Sequence, residues 1–252
     1  MTAATHAAPM APLATPPLQR LTAVEARKMI DTRAGFWLLV LVALSAIALV
    51  VLVLAVGEPK DQTLKSLFGD SIQVISILLP IVGLLLVTSE WSQRTALSTF
   101  TLVPERSRVV AAKFLASSVL AVLAVLVCLA VAAAGNLIAD GSWSIALSDL
   151  ANGALYEVIS MLGALALGLL LMHSALAIVT YFVLPTVVGI VVEVVPALRD
   201  PSAWFDPAQT TSPLAENTMA GDDWAKLGVT VAIWVGIPLV LGLLRLHRHE
   251  MK

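Results

Sequence analysis

Cysteine is almost absent from this chain: Cys128 stands alone among 252 residues. One thiol excludes an intrachain disulfide framework and any multi-cysteine metal site. Its position inside an apolar run suits a small core residue. Charge is also scarce, at 13% of residues, where an average soluble domain carries about 25%. Histidine is limited to His6, His173, His247 and His249. The last two are two residues apart and so fall on different helix faces, which argues against a metal site. No G-x-x-x-x-G-K-[ST] phosphate loop and no H-E-x-x-H occurs, so this chain has neither signature for ATP hydrolysis or zinc chemistry. No nucleophile–base pair is visible either. We therefore expect no catalytic residue, cofactor, metal or nucleic-acid partner, and no enzymatic activity in this chain alone.

What the chain has in excess is apolar sequence, 59% of residues with a mean hydropathy of +0.93. It falls in six blocks, at about 36–56, 71–88, 109–134, 153–172, 175–195 and 226–244. About 20 helical residues cross a hydrocarbon core ~30 Å thick. None of the blocks alternates apolar with polar residues, which excludes an outer-membrane barrel. The expectation is an all-α integral membrane protein with six transmembrane helices. Lys113, Glu157, Glu193 and Lys226 are the lone charges of the last four blocks. Each lies within about a turn of a block end, where a long side chain reaches the interface. Residues 1–19 are rich in Ala, Pro and Thr, a composition that cannot bury enough apolar area to order itself. They are expected to form a disordered cytosolic leader, with residues 20–252 forming the transmembrane domain.

Orientation follows from Lys and Arg in the connections. Eleven of the fifteen lie in the N-terminal segment, the second connection with its exit, and the C-terminal tail. The alternate connections hold four, Lys60, Lys65, Arg199 and Lys226, together with most of the acidic residues. Both termini are therefore expected in the cytoplasm, with the chain in the plasma (inner) membrane. Trp37 and Trp91 then fall at inner boundaries and Trp143, Tyr156 and Trp224 at outer ones, with Trp234 deeper as a packing residue. Pro80, Pro185 and Pro238 free the carbonyls of Ser76, Tyr181 and Trp234, as hinges for transport or as ordinary kinks. Ala164 with Gly168, and Ala232 with Gly236, have the spacing of close helix contact.

Two segments outside the blocks carry a further pattern. Thr22 and Glu25 have the spacing of a capping box and would open an amphipathic helix over about 22–34. Ala23, Ala26, Ile30 and Ala34 would share its apolar face, away from Glu25, Lys28 and Asp31. In the second connection, Leu97, Phe100 and Thr101 give a short amphipathic helix that Pro104 would end. A soluble partner would grip its apolar side chains, with Glu90, Arg94 and Glu105 setting the register. Alternatively, this is a charged loop lying on the lipid surface.

The stretch T-S-E-W-S-Q-R-T-A-L-S-T-F-T-L-V-P-E-R-S-R-V-V-A-A-K, residues 88–113, resembles the coupling region of the type-2 class of ABC permeases, especially actinobacterial ones. V-E-A-R-K-M-I-D-T-R-A-G-F-W at 24–37 is similar to their amphipathic elbow helix, and W-A-K-L … W-V-G-I-P-L-V-L-G-L-L-R at 224–245 to their final span and basic tail. Arg94-Thr95 stands where many members have Gly-Thr, and Glu105 separates Pro104 from Arg106. The resemblance implies the permease subunit of an ATP-driven exporter. A separate ATPase subunit would bind the ATP and dock on the helix around 91–103, through Glu90, Trp91, Arg94, Leu97, Phe100, Pro104, Glu105 and Arg106. A second permease copy or a paralogue would complete a dimer. Glu157 and Glu193 are candidate pathway residues. The long connection 196–225 would hold short re-entrant helices, or be an irregular loop. Alternatives from other classes are a stand-alone secondary carrier and a non-transporting scaffold or immunity protein. A carrier usually shows internal repeats and mid-membrane ionisable pairs, neither of which is evident here.

Overall fold

The structure, a computed structural model, describes residues 16–92 and 105–248. All its regular elements are helices, with no strand among the described residues. A first helix, α1, runs Leu18–Asp31. Six helices are long and apolar enough to cross a membrane: α2 (Arg33–Val56), α3 (Leu64–Ser92), α4 (Arg106–Ala139), α5 (Leu147–Leu171), α6 (Ser174–Val194) and, after a short helix α7 (Pro207–Ala215), α8 (Asp223–Arg248). The chain is a multi-pass membrane protein.

Local chemistry sets several boundaries. Thr32 accepts the Gly35 N–H at 3.1 Å and starts α2. Thr63 accepts the Ser66 N–H at 3.2 Å ahead of α3. Asp149 accepts the Ala146 N–H at 2.8 Å in the first turn of α5. Both α4 and α5 stop at a left-handed residue, Asp140 and Met172, which closes the last turn. These helices outrun their apolar blocks. α3 begins seven residues before its block and α5 six before, because helix formation does not end where polar side chains begin.

The core is built around α3, which packs between α2, α4 and α5. Leu67, Ile75 and Leu79 meet Val125 and Ala132 of α4 and Met161 and Leu165 of α5. Gly168 lets α5 approach α3 closely: a Cβ there would lie 3.2 Å from the Leu84 carbonyl. Ala164 beside it is fully buried, so this small-residue pair does pack tightly. Gly236 meets nothing comparable. Outward-facing side chains stay apolar, among them Leu44 and Val51 of α2, Val122 and Leu126 of α4, and Val183 and Val187 of α6. Such a belt belongs against hydrocarbon, not water.

Both described ends of the chain meet the second connection at one end of the bundle. Arg108 donates to the Pro16 carbonyl at 3.0 Å, and Arg106 to the carbonyl of Leu246 in the last turn of α8.

Two expectations change, both in α1. α1 starts four residues before Thr22, whose hydroxyl donates back to the Leu18 carbonyl at 3.0 Å; no capping box forms. Its buried face holds Glu25 and Met29, while Ala23, Val24 and Ile30 are exposed, so the helix is turned over relative to its apolar pattern. Tyr156 lies nine residues inside α5 and three past the start of its apolar block. Trp234 does pack internally, its indole N–H donating to the Phe205 carbonyl at 2.7 Å.

Candidate functional site

The reason α1 turns over is a buried cluster of four charges. Glu25 and Lys28 come from α1, Glu90 from the last turn of α3, and Lys113 from the third turn of α4. The Lys113 Nζ lies 2.6 Å from Glu25 Oε2, 2.9 Å from Glu90 Oε1 and 3.3 Å from the Leu86 carbonyl. Three acceptors match the three donors of an ammonium group. The Lys28 Nζ lies 2.7 Å from both Glu25 Oε1 and Glu90 Oε1. Two carboxylates alternate with two ammonium groups, which helps Glu25, Glu90 and Lys113 to be buried. Burial pushes the Lys28 ammonium down, but Glu90 and Glu25 outweigh it and the net shift is upward. Its contribution is therefore complete below lysine's ordinary range and lost only as the pH rises past it.

Sequence spacing did not reveal this cluster, because its members are 88 residues apart at the widest. The available signal was that a lysine inside an apolar helix needs a carboxylate partner. Lys113 is seven residues into α4 and buried, so it does not reach out to the interface.

Of the residues assigned to partner docking, Glu90 points into this cluster and Trp91 packs half-buried against the core. Glu105 is exposed, 3.4 Å from Arg108. Arg106 is held by the Leu246 carbonyl. Arg94, Leu97, Phe100 and Pro104 lie outside the described residues.

The two candidate pathway carboxylates do not come together. Glu193 is exposed at the end of α6. Glu157 lies ten residues into α5, about 15 Å from the helix start at 1.5 Å per residue, and four residues past the start of the apolar block at Gly153. It is fully buried, and neither carboxyl oxygen has a hydrogen-bond partner among the described residues. An unpartnered buried polar group costs roughly 1–3 kcal/mol. Glu157→Met is therefore expected to raise thermal stability by about that amount, up to ~3 kcal/mol, measured by melting the purified chain in lipid nanodiscs. A fall in stability would mean that the carboxyl has a partner.

Near Glu157, α5, α6 and α8 border a half-open cavity of about 820 Å3. Tyr156, Tyr181, Phe182, Phe205 and Trp234 line it. The α8 wall is irregular. Pro238 cannot donate to the Trp234 carbonyl, and just before it the Ile237 N–H bonds to Ala232, five residues back, so that Ala232–Gly236 forms a π segment. Such segments are rare and often sit at functional sites. Connection 196–222 closes one end as a helical cap. Asp206 accepts the Ala208 N–H at 3.0 Å and starts α7. Thr230 donates to the Trp204 carbonyl at 3.1 Å, and Leu214 is fully buried. Asn217 ties the cap to Ser148, Asp149 and Asn152 of α5, and Lys65 of α3 pairs with Asp149 at 3.1 Å. No family model matches this chain, and no curated protein matches it.

Proposed function

We propose that this chain is the membrane-spanning subunit of an ATP-driven exporter of the type-2 ABC class. It lies in the plasma membrane with both termini in the cytoplasm and pairs with a second copy or a similar permease. A separate ATPase subunit docks on residues 91–103. The orientation rests on the Lys/Arg asymmetry of the connections. α1 serves as the elbow helix, its exposed Val24 and Ile30 toward lipid and its exposed Arg20 and Arg27 toward headgroups.

The observation that carries this reading is the four-charge cluster. Glu90 stands at the entry to the second connection and Lys113 two turns beyond its exit, and both are bonded to α1. A force applied to that connection therefore passes into three helices at once, as coupling to an external motor requires.

The test is co-expression with a P-loop ATPase encoded beside this chain, followed by transport in inside-out vesicles. ATP-dependent transport should disappear when residues 91–103 are removed, with the protein still in the membrane. Full ATP-driven transport without them refutes the docking reading. Glu157, buried within a span with no hydrogen-bond partner among the described residues, favours a second reading as a secondary carrier. Transport driven by an ion gradient, with no nucleotide-hydrolysing companion bound, would establish it.

A further inference from the structure

Aromatic residues are few in this chain, yet they concentrate around one space. There are fourteen Trp, Tyr and Phe in all, and both tyrosines are among the five that line the α5–α6–α8 cavity. A pocket of 300–1,000 Å3 with mostly apolar and aromatic walls and a few polar groups is the usual form of a small-molecule site. Ring faces present negative charge, so an aromatic lining attracts planar rings and cations. No charged side chain lines the cavity itself.

An ionisable group lies just behind its wall. Glu157 follows Tyr156 in α5, and Tyr156 and Tyr181 both lie within reach of its charge, as does Cys128 of α4. None of these neighbours is a cation. α3 brings no ionisable side chain between Ser71 and Ser89. In α8, Lys226 is already paired with Asp222 and Asp223, and the other basic residues lie in its last turn. A buried carboxyl with no hydrogen-bond partner among the described residues is suited to one that arrives from outside. In that wall Pro185 leaves the Tyr181 carbonyl without its helical donor, and α8 across the cavity carries Pro238 and the π segment.

We propose that this cavity binds hydrophobic aromatic cations, with Glu157 as their counter-charge behind the Tyr156–Tyr181 wall. This deepens the exporter reading by naming a cargo class, but binding itself needs no ATPase. The same site would serve a carrier.

The experiment uses the full chain in lipid nanodiscs, with no ATPase and no nucleotide, and empty nanodiscs as background. Three fluorescent ring probes are compared: ethidium as cation, N-phenyl-1-naphthylamine as neutral molecule and 1-anilinonaphthalene-8-sulfonate as anion. Ethidium should bind saturably, with the neutral and anionic probes about ten-fold weaker or more. Gly163→Phe, which fills the cavity beside Val235, should abolish ethidium binding. Glu157→Gln should weaken it about ten-fold while leaving the neutral probe unchanged. Neutral and cationic probes binding equally to the unaltered chain would overturn the proposal without any variant having to fold. So would ethidium binding that survives Glu157→Gln or Gly163→Phe. Failure here leaves the ATP-coupling test above untouched, and failure of that test leaves binding intact.

Discussion

Replacing Lys113 with Met is expected to destabilise the chain by about 3–5 kcal/mol, the usual cost of breaking a buried ion pair from one side. The lysine is almost wholly buried and gives its three donors to Glu25, Glu90 and the Leu86 carbonyl. Without it, Glu25 and Glu90 lose the buried cation they share, and the Lys28 that also bonds both is about one-third exposed. Their mutual repulsion then acts where water screens poorly. Adding Glu25→Gln to Lys113→Met removes one of these two carboxylates. The double variant should therefore be more stable than Lys113→Met alone, a non-additivity that marks residues of one network. Melting in nanodiscs, together with the fraction surviving size-exclusion chromatography, measures both. A Lys113→Met chain that melts within about 0.5 kcal/mol of the parent, as a neutral surface change would, removes the network from the argument.

A methyl group at Gly35 should do comparable damage by a different route. The residue sits in the first turn of α2, where a Cβ would lie 2.0 Å from the Met29 carbonyl oxygen and 2.7 Å from Thr32 Oγ1. The nearer atom belongs to the backbone, so no side-chain rotation relieves the clash. α1 would have to swing away from α2 and take Glu25 and Lys28 with it. Overpacking of this kind costs typically 1–3 kcal/mol, and loss of the network adds to it, so Gly35→Ala should cost about 3 kcal/mol. Gly189→Ala is the control. Nothing lies within 4 Å of its Cβ position, and alanine favours a helix interior over glycine by up to about 1 kcal/mol. Equal melting temperatures for the two variants would mean that the α1–α2 junction is looser than described.

The six spans were legible because an apolar block of about 20 residues has few other uses. The chemistry between them was much less so. Glu157 lies about one turn inside the apolar block that begins at Gly153, although α5 itself starts at Leu147 and carries Ser148, Asp149 and Asn152 within the helix. Those polar residues are spent on the cap, through Asn217, a contact that no local pattern encodes. Likewise α1 was read by its apolar stripe, but Glu25 turns to the core to pair with Lys113 and Ile30 of the stripe faces outward. The cavity was hidden for the same reason: Tyr156, Tyr181, Phe205 and Trp234 are far apart along the chain. Of the docking segment, Arg94, Leu97, Phe100 and Pro104 fall outside the described residues.

Cys128, the lone thiol, is sealed inside the helix core. Water-soluble maleimides should therefore pass over the native protein, and any cysteine introduced at an exposed position becomes the only one they label. Pairs placed across the cap and α6 would report its opening by spin-label or fluorescence distances, without the cysteine-free background that such work ordinarily demands.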